Sequence, residues 1–140
     1  GAFEKVDTQI EEILGQGSGK WLSISPSSVT LPKDGDVRVK VIIENINEQN
    51  PQTYSDIKVK VESDRTSGVN CLFLDAPTSG DTSQPYTINS GYKAEITAIV
   101  RDAGATLGTK HCIFKIISSN PSLPAQASIP QTLLIKVERP

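Results

Sequence analysis

The chain has few of the residues that most often build catalytic and metal centres. Among its 140 residues it has one histidine, two cysteines and no methionine. A blue-copper site needs two histidines and a cysteine, usually with a weak axial methionine, so the composition argues against a copper protein. His111 precedes Cys112 in a strand-like run, where adjacent side chains point to opposite faces and cannot form a nucleophilic pair. We therefore predict a chain that is not an enzyme, with no catalytic residue, no metal site and no cofactor.

Basic charge and long apolar runs are also scarce. The formal net charge is −2 at pH 7, and nucleic-acid phosphates need a basic surface, so we predict no nucleic-acid partner. No apolar run approaches the roughly 18 residues of a membrane span. The sequence begins with Gly-Ala-Phe, which we interpret as the start of a fragment, so membrane attachment is expected only through a segment absent from it.

Helical periodicity is confined to residues 2–14. Its apolar side chains recur at the three- and four-residue spacing of one helix face: Phe3, Val6, Ile10, Ile13 and Leu14. One lysine and four carboxylates give the segment a net charge of −3, which disfavours binding to an anionic membrane. Gly15 favours a helix end, and "GQGSG" is typical of a flexible linker. We predict a helix and linker over 1–19 and a separate domain over 20–140.

After the linker, the apolar period changes to that of a strand. In "DVRVKVIIE" the residues that share one predicted buried face are Val37, Val39, Val41 and Ile43. The same alternation recurs in "DIKVKVES", "YKAEITAIVRD", "TKHCIFKIISS" and "QTLLIKV", and "VNCLFL" is a short apolar run. Such strands, separated by Gly-, Pro- and Asp-rich turns, predict an all-β sandwich of roughly seven antiparallel strands. Strand–helix alternation is absent, so a parallel sheet is disfavoured.

The two cysteines, Cys71 and Cys112, both lie in apolar strand-like runs. An even number of cysteines is compatible with a disulfide, which would place the chain in an oxidising, extracytoplasmic compartment. Two buried free thiols are the alternative, because cysteine is a common core residue. We predict the disulfide.

The order of the strands and turns resembles an immunoglobulin-like sandwich of the prokaryotic cell-surface kind, as in the CARDB and NEW3 families. The matching stretches are "SPSSVTLPKDGDVRVKVIIENIN", "INSGYKAEITAIVRD", "LGTKHCIFKI" and "TLLIKV". The resemblance covers residues 21–138 and implies an adhesion or enzyme-accessory domain without a chemistry of its own. A weaker resemblance, in arrangement alone, is to the soluble domain of an archaellum stator protein. Such proteins carry an N-terminal membrane helix before a single immunoglobulin-like domain, and they contact the surface layer.

These observations favour a role in protein contact. We expect a structural or adhesion module of a microbial cell-surface assembly, with a protein partner on the surface or with self-association. The interaction residues are predicted on the apolar face of the helix and at Trp21, where "WLSISPSSVTL", broken by Pro26, is a candidate sheet edge. The helix face could pack on its own domain, a second copy or a neighbouring subunit.

Two other binding functions remain open from the sequence. Trp21, together with Tyr54, Tyr86 and Tyr92, could stack on sugar rings in a carbohydrate-binding module of a secreted hydrolase, although packing in the core explains these aromatic residues better. The acidic turns "KDGD" and "SGD" could supply oxygen ligands to calcium. Turn formation explains their Asp and Gly residues better, because both favour turns by themselves.

Overall fold

The computed structural model describes residues 19–46, 52–76 and 80–138. The predicted helix over 2–14, including the five apolar residues of its proposed interaction face, lies outside these ranges. Within them, no helix has the length and apolar character that crossing a bilayer would take.

The described residues form nine strands. They are β1 (Leu22–Ser25), β2 (Ser28–Leu31), β3 (Asp36–Glu44), β4 (Tyr54–Ser63), β5 (Val69–Phe73), β6 (Tyr86–Ile88), β7 (Lys93–Asp102), β8 (Gly108–Ser118) and β9 (Gln131–Val137). Two short 3-10 helices, Arg65–Ser67 and Ala125–Ser128, lie in the connections. The count exceeds the predicted seven because Pro26 divides the first extended stretch between two strands and because β6 has only three residues.

The strands form two sheets. The first has the order β1-β3-β7-β5, and the second has the order β2-β9-β8-β4-β6. This arrangement confirms the predicted all-β, immunoglobulin-like sandwich. One pairing differs from expectation, since β2 runs parallel to β9 while the other strand pairs are antiparallel. The chain passes from the first sheet to the second between β1 and β2, and the Ser25–Pro26 peptide in this stretch is cis.

The core is built from the alternating residues that the sequence pattern identifies. In β3, Val39, Val41 and Ile43 are buried, and β7 places small and branched residues opposite them. In β9, the buried residues are again every second one. Phe73 and Phe114 meet edge to face across the two sheets, with ring centroids 5.8 Å apart, a favoured aromatic geometry. Burial of one face of each sheet therefore holds the two layers together.

A disulfide joins the sheets covalently. Cys71 in β5 is bonded to Cys112 in β8, with an S–S distance of 2.06 Å, and both residues are almost fully buried. This confirms the predicted bond and excludes the alternative of two free thiols. The bond closes a loop with a sequence separation of 41 residues, so it restricts the unfolded chain considerably.

The side of the sandwich formed by β5 is closed by hydrogen bonds. The Ser63 hydroxyl oxygen accepts a bond of 2.8 Å from the backbone N–H of Cys71. The carbonyl of Gly80 accepts a bond of 2.7 Å from the N–H of Phe73. These groups point away from β7, where an open strand would expose them to another chain. The β5 edge is therefore largely protected.

Asn45, directly after β3, links separate backbone segments at one end of the sandwich by hydrogen bonds. It is fully buried, and its side-chain Nδ2 donates to the carbonyls of Gln52 at 2.7 Å and Ile88 at 3.0 Å. Its backbone N–H donates to the Tyr92 carbonyl, and its own carbonyl accepts from the Gly91 N–H. One side chain thus satisfies two backbone carbonyls from separate segments, which buried polar groups require.

Candidate functional site

His111 and Cys112 lie on opposite faces of β8, as predicted. The histidine is exposed on the outer face, and the cysteine is buried and bonded to Cys71. Over the three described ranges, no three His, Cys, Asp or Glu side chains come together as a metal-binding group. Because adjacent strand residues point to opposite faces, His111 and Cys112 cannot form a nucleophilic pair.

The acidic turn at 33–36 is organised by another carboxylate, Asp102 at the end of β7. Its Oδ2 accepts a bond of 2.7 Å from the backbone N–H of Asp34, whose φ is +57°. Its Oδ1 accepts bonds from the N–H groups of Gly104, at 3.1 Å, and Ala105, at 2.8 Å. Backbone donors from two loops therefore occupy this carboxylate, and turn formation accounts for the acidic residues here.

We expect Asp102→Ala to lower the free energy of unfolding by about 1–2 kcal/mol, because three backbone donors lose a charged acceptor. Chemical denaturation measures this change. Asp36→Ala, at an exposed residue of the same turn, is the matched control and should change stability by less than about 0.5 kcal/mol. Equal effects of the two substitutions would contradict the assignment of Asp102 as the residue that organises both loops.

Trp21 is a core residue, which corrects its predicted role as a surface interaction residue. Only 2% of the residue is exposed, and its ring meets Tyr54 edge to face with centroids 5.5 Å apart. Tyr54 is itself fully buried. The large indole caps the apolar end of the sandwich, where exposing it would forfeit a large hydrophobic contribution. Neither ring can stack on a sugar or contact a partner without local unfolding.

The other two tyrosines do not complete a flat aromatic surface. Tyr86 is partly buried, and its hydroxyl donates to a carboxylate oxygen of Asp75. Burial, reinforced by this bond and by the negative charge of Asp75, raises the pKa of the Tyr86 phenol above its usual range. Tyr92 packs against the core from its rim. The four aromatic residues considered for sugar stacking are therefore engaged in internal contacts.

The clearest opening for a partner is the edge of β1, which pairs with β3 alone among the described strands. The carbonyl of Trp21 accepts a bond of 2.8 Å from the Glu44 N–H. In an antiparallel pair the inward-facing backbone groups alternate, so Leu22 and Ile24 direct their N–H and C=O groups away from β3. The predicted edge character of the "WLSISPSSVTL" stretch is thus confirmed, with Trp21 turned into the core.

A groove adjoins this edge at the end of the sandwich where the described chain begins. Its volume is about 430 Å³, and we call it the N-terminal groove. Its apolar wall is formed by Leu22, Ile46 and Ile129, and its polar part by Gly19, Lys20, Gln126 and Gln131. Ile129 is 57% exposed. Leu22, which lies in β1 and is only 1% exposed, borders the groove, so the groove and the β1 edge are adjacent.

The loop after β8 holds Ile129 at this surface. Ser119, at the start of the loop, donates hydrogen bonds from its backbone N–H and its hydroxyl to the carboxylate of Asp56 in β4. These bonds lower the pKa of the Asp56 carboxyl. Near the end of the loop, the fully buried Ala127 anchors the 3-10 helix Ala125–Ser128.

Sequence reasoning missed Ile129. The available signal was one large aliphatic residue between Ser128 and Pro130 in a proline-rich loop, which is compatible with burial as well as exposure.

Comparison with known proteins shows a shared fold. No protein-family model matches the chain, and no curated protein does. The Calx CBD1 domain has a TM-score of 0.51 at 10% identity, over 84% of this chain and 96% of that one. A family 123 glycoside hydrolase from Clostridium perfringens has a TM-score of 0.52 at 7% identity. A CARDB domain from Pyrococcus furiosus has a TM-score of 0.45 at 14% identity, over 84% of this chain and 90% of that one.

These similarities extend to the fold and no further. The match to the glycoside hydrolase covers 87% of this chain but only 26% of the hydrolase. At such identities the sandwich can be shared while sites differ, because unrelated functions occur on the same fold. The comparisons give no support to the archaellum resemblance.

Proposed function

We propose that the chain is a non-enzymatic, extracytoplasmic protein–protein interaction module of a microbial cell-surface assembly. The observation that supports this most directly is the open β1 edge beside the N-terminal groove. An extended segment of a partner protein can pair with the outward backbone groups of Leu22 and Ile24. An apolar side chain of the same segment can enter the groove against Ile129. Backbone pairing would supply the affinity, and the groove would select the side chain.

Three further features favour this function. The disulfide between Cys71 and Cys112 supports an oxidising compartment, since such bonds are rare in the cytosol. The β5 edge is closed by Ser63 and Gly80, so strand addition is directed to the opposite side of the first sheet. The internal packing of Trp21 and Tyr54 removes the aromatic platform that a carbohydrate-binding role would use.

A binding assay on cell envelopes tests the proposal. Envelopes from the cells that produce the chain are left intact, digested with protease, or oxidised with periodate to destroy glycans. We expect saturable binding of the folded chain that protease abolishes and periodate leaves unchanged. Ile24→Pro should weaken binding at least about tenfold, because proline removes an outward N–H that β3 does not use.

The control is Leu107→Glu, at a residue that is 64% exposed, close to Gly108, which pairs with Val137 at the far end of β9. It should bind as the unmodified chain does, and circular dichroism should show both variants folded. Unchanged binding by a folded Ile24→Pro variant would overturn the proposed edge. Binding that survives protease and is lost after periodate would instead identify a carbohydrate-binding module.

A further inference from the structure

The N-terminal groove opens where the described chain begins. Gly19 and Lys20 contribute to its lining, so the attachment point of the preceding sequence lies beside the apolar wall of Leu22, Ile46 and Ile129. The exposed side chain of Ile129 lacks apolar cover on one side among the described residues. A segment attached at Gly19 is therefore the nearest candidate to cover it.

The preceding residues have the length and the apolar pattern to reach the groove. A linker of five residues, Gly15 to Gly19, spans at most about 17 Å when extended. Ile10, Ile13 and Leu14 come immediately before it, at the spacing that places three side chains on one face of a helix turn. Along the sequence, Phe3 and Val6 lie seven and four residues further from the attachment point than Ile10.

Charge and tethering add to the fit. Glu11 and Glu12 stand between Ile10 and Ile13 in the sequence, and Lys20 brings a positive charge to the groove. A short flexible linker gives an effective concentration in the millimolar range. An intrinsic dissociation constant of about a millimolar is then enough for half occupancy, and burial of two or three aliphatic side chains readily reaches it.

We infer that residues 10–14 of the same chain dock in the N-terminal groove, with Ile13 and Leu14 against Ile129 and Ile46. The occupant is a segment of this chain, and the inference does not depend on the partner protein proposed above. Because Leu22 lies in β1 and borders the groove, the docked segment lies next to the β1 edge. A partner that enters the groove must displace it.

Photo-cross-linking of the full chain tests this assignment without any partner. p-Benzoylphenylalanine replaces Ile129, whose exposure makes the change compatible with folding, and replaces Leu107 in the control. Irradiation of dilute protein should cross-link position 129 to residues 10–14 within one chain, as located by peptide mass spectrometry. The control at position 107 should give no link to this segment. Adding Ile13→Glu should reduce the cross-link from position 129 at least fivefold.

Each other outcome overturns the inference. A cross-linked dimer whose yield rises with protein concentration would show that a second copy fills the groove. Cross-links from position 129 that avoid residues 10–14, or none in a folded protein, would show that the segment does not dock there. Failure of envelope binding, by contrast, would leave this result untouched.

Discussion

Replacing both Cys71 and Cys112 with alanine is expected to lower the free energy of unfolding by about 4 kcal/mol. The bond closes a loop with a sequence separation of 41 residues, and its loss returns that conformational freedom to the unfolded chain. Domains of this size are commonly stable by about 5–15 kcal/mol, so the loss would be a large share of the total. Both sulfurs are buried between the sheets, so loss of packing adds to the effect.

Urea denaturation of the oxidised protein, the reduced protein and the double alanine variant measures this contribution. The oxidised protein should unfold at the highest urea concentration. Reductant should lower the midpoint of the unmodified protein and leave that of the alanine variant unchanged, because the variant has no bond to reduce. A difference below about 1 kcal/mol between the oxidised protein and the variant would show that the bond does not constrain the unfolded state as the loop length predicts.

Asn45→Ala is expected to cost about 3 kcal/mol. The substitution leaves the carbonyls of Gln52 and Ile88 without their shared donor, and each unsatisfied buried group costs roughly 1–3 kcal/mol. Thermal and urea unfolding should both report the loss. Asn89→Ala is the matched control, since Asn89 is exposed and its side-chain oxygen accepts a hydrogen bond from the Thr53 hydroxyl. It should cost less than about 0.5 kcal/mol. Similar costs at the two positions would rule out the proposed role of Asn45.

The nearly isosteric change Asn45→Asp gives this site a pH dependence. A carboxylate there would face two carbonyl oxygens, so the folded state should raise its pKa above the unfolded value of about 3.9. The variant should therefore be most stable below about pH 4, where the acid is protonated and can donate one bond. Its stability should fall as the pH rises through the raised pKa. A deficit that does not change with pH would contradict this geometry.

The sandwich was predictable because strand periodicity reports which side chains meet the core. The alternation in β3, β7 and β9 identified buried residues such as Val41, Ala98 and Ile135, since a strand with one solvated face must alternate. The parallel pairing of β2 with β9 was not predictable in this way. It depends on which sheet the chain joins after Pro26. The two strands on either side of this proline have only four residues each, and so short a pattern does not indicate which sheet each strand joins.

The candidate site was only partly predictable. The proline break marked an edge correctly, because proline disfavours a central strand. Trp21 was predicted to contact a partner, yet it is buried. A single aromatic residue after a linker lacks the periodic apolar neighbours that would indicate which way its side chain points. Its burial depends on Tyr54, which is distant in sequence and reaches it only through the tertiary fold. The N-terminal groove likewise combines Ile46 with Ile129, from two loops whose proximity no local pattern reports.

The parallel pair β2–β9 determines how the domain would respond to tension. Residue 19 lies at one end of the sandwich, and the end of β9, where Leu31 pairs with Val137, lies at the other. A pull on the two ends in opposite directions runs along the strands. It strains the hydrogen bonds between β2 and β9 together, whereas pulling at one end of a hairpin breaks such bonds one after another. We therefore expect the short strand that completes the second sheet to resist such a pull.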